Sequence, residues 1–226
     1  MVARKREPVI LSKYSMNTLL HCELDTEQVP ESIAQSLLLI HGPDTHPHYM
    51  HDLHTPDGVY SSARLSRYDV TAECNTWLQK VFPEIVNENC NIGIQHIKNL
   101  NEVPSAFIPH TDGPRRGKYL FSYLIDSGNN SSEATTYWWK EENQLLVRDP
   151  ASIMAPAMAV AKYELLTEVS KTIIPTNRWV FLRANVLHSV HNIVSDRIAL
   201  IIGTNNKEVA NRILKNHTTD SKQIED

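Results

Sequence analysis

The sequence predicts a mainly β (α+β) fold in which flanking helices precede a jelly-roll-like β core. From residue 91 onward, short runs of apolar, branched and aromatic residues follow one another between turn signals such as Gly113-Pro114. That pattern is typical of an all-β sandwich or barrel. Before residue 91, two stretches instead repeat apolar residues at helical spacing. With 226 residues, the chain is long enough for one domain with a sizeable core.

We expect a single domain over residues 1–226. Residues 1–90 form a helical N-terminal support, residues 91–203 the β core, and residues 204–226 a C-terminal helix and tail. No repeat or low-complexity linker indicates a second domain.

The N-terminal part is predicted to contain one short strand and two helices. The strand covers Pro8–Ser12. The first helix runs from Pro30 to about Ile40, because Pro suits the first helical position and an apolar stripe follows. The second covers Val70–Phe82, with apolar residues at helical spacing, and the proline at position 83 ends it.

The stretch between the two helices, residues 41–58, holds five of the eleven histidines. A His-rich tract can bind a metal. Here the spacing is irregular and prolines interrupt it, so a polar surface loop is the favoured interpretation.

The second half is predicted to hold nine short strands and a final helix from Lys207 to Leu214. The strands are Ile92–Ile97, Ala106–Thr111, Tyr119–Ile125, Thr135–Trp139, Leu145–Val147, Glu164–Ile174, Trp179–Arg183, Val186–Val190 and Ile198–Ile202.

Charge and cysteine usage narrow the class of protein. A net charge of −4 and a pI near 6.3 give no basic footprint, which weighs against a nucleic-acid partner. The three cysteines form no CxxC pair, so buried free thiols in a reducing compartment are favoured. No signal peptide and no membrane-spanning run is evident in the sequence. These features predict a cytoplasmic protein without membrane partners.

A His-x-Asp motif stands where a predicted strand meets the Gly-Pro turn. Residues i and i+2 of a strand share a face, so His110 and Asp112 are expected to point the same way. The best third ligand is His188. If a hairpin turns near Asn192–Ser195, Arg197 lies nearly opposite His188, with Cβ atoms roughly 5 Å apart. The rival, His191, falls on the other strand face and too near Arg197.

Two histidines and one carboxylate with open positions form the facial triad of non-haem Fe(II) oxygenases. A nearby guanidinium can pair with a carboxylate through two parallel hydrogen bonds, which a lysine cannot match. The sequence therefore offers a metal, vacant coordination positions and an anchor for an anionic cosubstrate.

These residues resemble the HxD…H…R signature of the 2-oxoglutarate- and Fe(II)-dependent oxygenases, most closely the prolyl-hydroxylase-like branch. The resemblance covers roughly residues 91–203 and includes Tyr123-Leu124 at the end of the strand after the motif. It implies a double-stranded β-helix core in which His110, Asp112 and His188 hold iron. By the same resemblance, Arg197 and Tyr123 hold 2-oxoglutarate.

The resemblance further implies an enzyme, a dioxygenase that uses Fe(II), 2-oxoglutarate and O2. Hydroxylation of a C–H bond is the expected outcome, on a peptidyl residue such as proline or on a small molecule. Two departures stand out. Ala199 replaces a serine that in many relatives also bonds the cosubstrate, and Gly203 replaces the arginine of the nucleic-acid-demethylating branch.

Other residues and other functions stay open at this point. Arg115 and Arg116 are either solvated loop charges or substrate contacts at the cavity mouth. Trp138 and Trp139 cannot both face inward on one strand. The alternatives to an oxygenase are a non-catalytic β-jelly-roll binding or structural module and a cupin-like metalloprotein that does not use 2-oxoglutarate.

Overall fold

The structure, a computed structural model, describes residues 18–40, 49–54, 60–99, 109–112, 117–127, 134–141, 147–148, 159–160, 166–220 and 222–224. These residues form three α-helices, which are α1 Glu31–Leu39, α2 Ala72–Val81 and α3 Lys207–His217, and a short 3-10 helix, Pro83–Ile85. The described strands are β1 His21–Glu23, β2 Tyr49–His54, β3 Tyr60–Tyr68, β4 Cys90–Asn99, β5 Tyr119–Asp126, β6 Thr135–Glu141, β7 Val147–Arg148, β8 Ala159–Val160, β9 Leu166–Ile173, β10 Trp179–Arg183, β11 His188–His191 and β12 Arg197–Thr204.

Local sequence explains where the helices begin. Pro30 precedes α1 at φ −55°, with its carbonyl accepting the first helical hydrogen bond. Thr71 caps α2, because its hydroxyl accepts a hydrogen bond of 3.1 Å from the backbone N–H of Cys74. Asn206 caps α3 in the same way, accepting from Glu208 and Val209.

The described strands form two main sheets. A seven-stranded sheet has the order β1-β10-β5-β12-β4-β3-β2, and a three-stranded sheet has the order β11-β6-β9. Along the chain, β4 and β5 lie in the large sheet, β6 and β9 in the small one, β10 in the large, β11 in the small and β12 in the large again. This winding between two antiparallel sheets is that of a double-stranded β-helix, so the predicted jelly-roll core and mainly β fold are confirmed.

The large sheet separates an apolar core from a cavity. Alternate residues of a strand point to opposite faces. On one face, Phe121, Phe181 and Leu200 pack with the buried sides of all three helices. On the other face, Ser122 and Ala199 line a space that the small sheet closes. Both faces of the central strands are therefore covered, and β5 is buried from residue 119 to residue 124.

The predicted helical support over residues 1–90 is only partly correct. Helices α1 and α2 form within it, but β1 joins one edge of the large sheet and β2 and β3 extend the other. The stretch predicted as a polar loop, residues 41–58, contains β2, whose backbone pairs with β3. Pairing at a sheet edge requires backbone hydrogen bonds but no apolar pattern, so this strand could not be predicted from hydrophobic periodicity.

Most of the strands predicted in the second half overlap strands of the structure, and β10 has the predicted bounds. Strand β11 begins at His188, two residues later than predicted, and β8 was not predicted. The predicted strand Ala106–Thr111 is described only from residue 109, where His110 makes an isolated bridge to His188. The predicted Pro8–Ser12 strand lies outside the described residues. The final helix is longer than predicted and ends at His217.

None of the helices in the described residues is long and apolar enough to cross a membrane.

Truncating the centre of β12 tests the layered core. Leu200 is fully buried between β4 and β5, so Leu200→Ala is expected to lower the free energy of unfolding by about 2–5 kcal/mol. Urea denaturation measures the change. Val169→Ala on β9 is the control, because Val169 is 56% exposed and its truncation is expected to cost less than about 0.5 kcal/mol. Equal losses for both variants would contradict the burial described here.

Candidate metal centre

Three side chains of the His-x-Asp…His set converge at one end of the cavity. One ligand atom from each of His110, Asp112 and His188 lies within 4.8 Å of the others. Nε2 of His110 and Oδ1 of Asp112 are 3.7 Å apart, too far for a hydrogen bond. First-row metal ions bind such atoms at ~2.0–2.2 Å, which places two neighbouring ligand atoms of one ion roughly 3–3.6 Å apart. The side chains could therefore hold one ion after the ligand atoms move closer together by up to roughly 1–2 Å.

Backbone pairing brings the two histidines together. The N–H of His110 donates to the carbonyl of His188 at 2.8 Å, and the N–H of His188 donates to the carbonyl of His110 at 2.9 Å. Their rings lie 4.5 Å apart between centroids. Asp112 is fixed two residues further on, where its N–H donates to the carbonyl of Ala184 at 2.8 Å. The side chains of His110 and Asp112, two residues apart in the sequence, therefore lie on the same side as that of His188.

The orientation of the His188 ring suits a metal ligand. Its Nδ1 lies 2.9 Å from the carbonyl oxygen of Val186. Because a carbonyl oxygen only accepts hydrogen bonds, Nδ1 carries the proton and Nε2 keeps a free lone pair. Such a contact fixes the tautomer and raises the basicity of a ligating histidine.

The ligands open into a cavity of about 100 Å³ between the two sheets. Its walls are mainly apolar, and a few polar side chains reach into it. The polar lining residues besides the three ligands are Gln95, Ser122, Thr136, Arg183 and Arg197. The volume suits a small acid rather than a drug-sized molecule, for which pockets run to about 300–1,000 Å³.

Arg197 supplies a buried positive charge to this cavity. It is the first residue of β12, it is 7% exposed, and it stands opposite Ile97 of β4. Burial lowers the pKa of its guanidinium to about 10, so it remains charged at neutral pH. Among the described residues, no carboxylate forms an ion pair with it. A buried, unpaired cation of this kind favours an anionic ligand.

The hairpin predicted between His188 and Arg197 is wrong. Strand β11 pairs with β6 in the small sheet, whereas β12 pairs with β4 and β5 in the large sheet. The chain crosses from one sheet to the other between the two residues. They reach the same cavity from facing sheets rather than as cross-strand neighbours.

The structure does not bring Tyr123 to the cavity. Its neighbours Ser122 and Leu124 face inward, so Tyr123 points to the helix side of the sheet. There its ring lies 5.4 Å from that of Trp179, and its hydroxyl is hydrogen-bonded to the backbone of Val29. Burial raises the pKa of this phenol. The cosubstrate contact implied by the resemblance is therefore not supported for Tyr123.

The remaining candidates divide between the two faces of the small sheet. Trp138 faces the cavity, and its indole N–H donates to the carbonyl of Arg183 at 3.2 Å. Trp139 and His191 lie on the outer face, where Ser189 contacts both side chains at 2.8 and 2.9 Å. Burial lowers the pKa of His191, which takes no part in the ligand cluster. The predicted contacts Arg115 and Arg116 lie outside the described residues.

Four polar residues that line the cavity were not among the candidates from the sequence, and they are Gln95, Ser122, Thr136 and Arg183. Arg183 is 5% exposed at the end of β10, and Thr136 is 3% exposed on β6. Arg183 could have been suspected as the charged residue that ends the apolar run WVFLR. Thr136 follows another threonine in a mixed strand and carries no such signal, so only the fold shows that it faces the cavity.

The ligand set can be tested with a metal alone. Wild-type protein is expected to bind about one equivalent of Mn(II), followed by its electron paramagnetic resonance signal. His188→Ala should weaken binding by at least about tenfold, because even lost support of a ligand costs 10–100-fold. His191→Ala, a histidine change on the same strand but the opposite face, should leave affinity unchanged. A larger loss of Mn(II) affinity in His191→Ala than in His188→Ala would contradict the assignment of His188 as a metal ligand.

The placement of Tyr123 makes a separate prediction. Tyr123→Phe removes a buried hydroxyl that is bonded to Val29, so it is expected to cost about 1–3 kcal/mol in unfolding free energy. Affinity for Mn(II) and for 2-oxoglutarate, measured by calorimetry, should match the wild type. A selective loss of 2-oxoglutarate affinity at unchanged stability would instead place the tyrosine in the cavity.

Comparison with known proteins found similarity of structure without similarity of sequence. No family model and no curated protein matches the chain. One similar solved structure is a prolyl hydroxylase in complex with a hypoxia inducible factor oxygen degradation domain peptide fragment from Trichoplax adhaerens, at 13% identity and a TM-score of 0.47 over 86% of this chain and 87% of that chain. Another is the epimerase SnoN in complex with Fe3+, alpha ketoglutarate and nogalamycin RO, at 11% identity and a TM-score of 0.42 over 81% and 78% of the two chains. These likenesses are distant, and the residues of the site itself carry the functional proposal that follows.

Proposed function

We propose that this protein is an Fe(II)- and 2-oxoglutarate-dependent dioxygenase that hydroxylates a C–H bond. One observation carries the proposal. The cluster of His110, Asp112 and His188 shares a small cavity with the buried guanidinium of Arg197, which has no carboxylate partner among the described residues.

The ligand cluster favours iron in an open site. Among the described residues the cluster has three members, whereas a structural zinc site closes with four. Two imidazoles and one carboxylate on one side of an ion leave positions for other ligands, which is the arrangement of non-haem Fe(II) oxygenases. His110, Asp112 and His188 would hold the metal.

The cavity also fits a small dicarboxylic acid. One end carries the metal ligands, and Arg197 lies on the facing sheet with a charge that a distal carboxylate would neutralise. Ile97 stands opposite Arg197 across two strands, and Leu65 packs with Ile97 and lines the same cavity. Apolar surface of this kind strengthens a charge-assisted hydrogen bond by excluding water. A guanidinium can hold such a carboxylate through two parallel hydrogen bonds.

The bound groups and the chain would have separate tasks. Iron, 2-oxoglutarate and O2 together supply the oxidation of an unactivated C–H bond to C–OH, with 2-oxoglutarate converted to succinate and CO2. The chain orients this chemistry. The Val186 carbonyl holds the His188 ring, Arg197 sets the direction of the acid, and the apolar walls keep bulk water out.

We propose a peptidyl residue, with proline among the candidates, or a small molecule as the substrate. The cavity of about 100 Å³ is filled by the metal and the small acid under this proposal, so the substrate would approach from the metal end rather than occupy the interior.

The proposed cosubstrate can be tested without a substrate. Fe(II) added anaerobically, followed by 2-oxoglutarate, should produce the weak visible charge-transfer band of the chelate. Arg197→Ala should raise the 2-oxoglutarate concentration for half-maximal band by at least about tenfold, since a hydrogen bond to a charged group contributes about 1.5–3 kcal/mol. For Arg197→Lys, this half-maximal concentration should lie between those of the wild type and Arg197→Ala. Lysine keeps the charge but cannot form two parallel hydrogen bonds to one carboxylate.

Arg178→Ala is the matched control, because Arg178 is an exposed arginine paired with Glu23 at 3.0 Å on the surface. It should leave the titration unchanged. A protein that binds Fe(II) but gives no band would indicate the metalloprotein alternative, and one that binds no metal would indicate a binding or structural module.

A further inference from the structure

The hydroxyl of Thr136 is a buried polar group with no hydrogen-bond partner in the part of the chain that the structure describes. Thr136 is 3% exposed and lines the cavity, and its Oγ1 has no hydrogen-bond partner among the described residues. A valine has the same shape, suits a strand equally well and carries no such desolvation penalty. A ligand that enters the cavity and accepts a hydrogen bond from this hydroxyl would remove the desolvation penalty.

Strand register places Thr136 near the metal ligands, and packing contacts connect its partner strand to the residues beside Arg197. On β6, Trp138 stands opposite His188, and Thr136 stands opposite Val190. Thr136 is thus one inward-facing step from the metal end, about 7 Å at ~3.4 Å per residue. Val190 in turn packs against the cluster that contains Ile97, the residue paired with Arg197. A ligand held by both the metal and the arginine would share this small cavity with the hydroxyl.

We infer that Thr136 is a second anchor for 2-oxoglutarate, donating a hydrogen bond from its hydroxyl to the distal carboxylate that Arg197 also binds. This inference rests on the proposed function. The distal carboxylate lies three carbon–carbon bonds beyond the ketone, on the side away from the metal. A carboxylate only accepts hydrogen bonds, so the threonine hydroxyl and the guanidinium can serve it together.

The inference also accounts for two features of the chain. Tyr123 faces the helix-side core, and Ala199 has no hydrogen-bonding side chain, so neither can supply the second contact from the large sheet. Thr136 supplies it from the small sheet. The acid would then be held by both layers of the fold, with Arg197 on one side and Thr136 on the other.

The test compares two acids and two matched threonine variants. Thr136→Val removes the hydroxyl and keeps the shape, whereas Thr135→Val makes the same change one residue away, on the outer face. Calorimetry of the Mn(II)-loaded protein gives the dissociation constant for 2-oxoglutarate and for 2-oxobutyrate, which has the same chelating group but lacks the distal carboxylate. Thr136→Val should raise the dissociation constant for 2-oxoglutarate by about tenfold or more. The dissociation constant for 2-oxobutyrate should change by less than about twofold.

Two further readouts separate a lost contact from a damaged fold. Thr136→Val should keep its Mn(II) affinity and melt no lower than the wild type, because it removes an unpaired buried hydroxyl. Thr136→Ser, which keeps the hydroxyl, should stay within about threefold of wild-type affinity for 2-oxoglutarate. Thr135→Val should match the wild type for both acids.

The outcomes distinguish this inference from the function on which it rests. Equal 2-oxoglutarate affinity in wild type and Thr136→Val would overturn the inference alone, and so would an equal loss for both acids. Wild-type protein that takes up Mn(II) but does not bind 2-oxoglutarate would overturn the proposed function and the inference with it.

Discussion

The two-residue repeat of β12 is the constraint on which the rest of the structure depends. The strand lies between β4 and β5 in the large sheet, and its alternate side chains serve two different environments. Arg197 and Ala199 face the cavity, whereas Ile198 and Leu200 face the helix-side core. A shift of one residue would exchange the two sets and bury the arginine among apolar side chains. The register of β12 therefore determines both the packing of the core and the position of the charge in the cavity.

The metal ligands depend on a second constraint, the crossing of the chain between sheets. The reciprocal hydrogen bonds between His110 and His188 attach a short segment to the small sheet, and Asp112 follows on the same face. Strand β12 then returns to the large sheet. Because the ligands come from one layer and the buried arginine from the other, the cavity between them has a basic group facing a candidate metal position. Helices α1 and α2 take no part in the cavity and support the opposite face.

Much of this was readable from the sequence. The i, i+2 spacing of His110 and Asp112 predicted a shared face, and the turn signals predicted most strands. The choice of His188 over His191 agrees with the cluster in the structure, although the hairpin used to support it is wrong. A short polar gap between strands does not reveal whether the chain turns back or crosses to the facing sheet.

The side of the sheet to which Tyr123 points could not be predicted from the sequence, for a different reason. Both faces of β5 are covered, so the strand is an almost continuous buried run without the alternation that marks an inner side. Strand β2 was missed because an edge strand needs only backbone pairing. Thr136 carried no motif at all. Its significance depends on an unpaired hydroxyl, a property that exists only once both sheets are assembled.

The central claim is that the His-Asp-His cluster and Arg197 form one binding site for a metal and a dicarboxylic acid. An anaerobic crystal structure with Mn(II) and 2-oxoglutarate tests it most directly. We expect one ion bound by Nε2 of His188, His110 and the Asp112 carboxylate, with the distal carboxylate of the acid on the Arg197 guanidinium. An ion bound elsewhere, for example by the histidines of residues 41–58, or an acid that leaves Arg197 uncontacted, would contradict it.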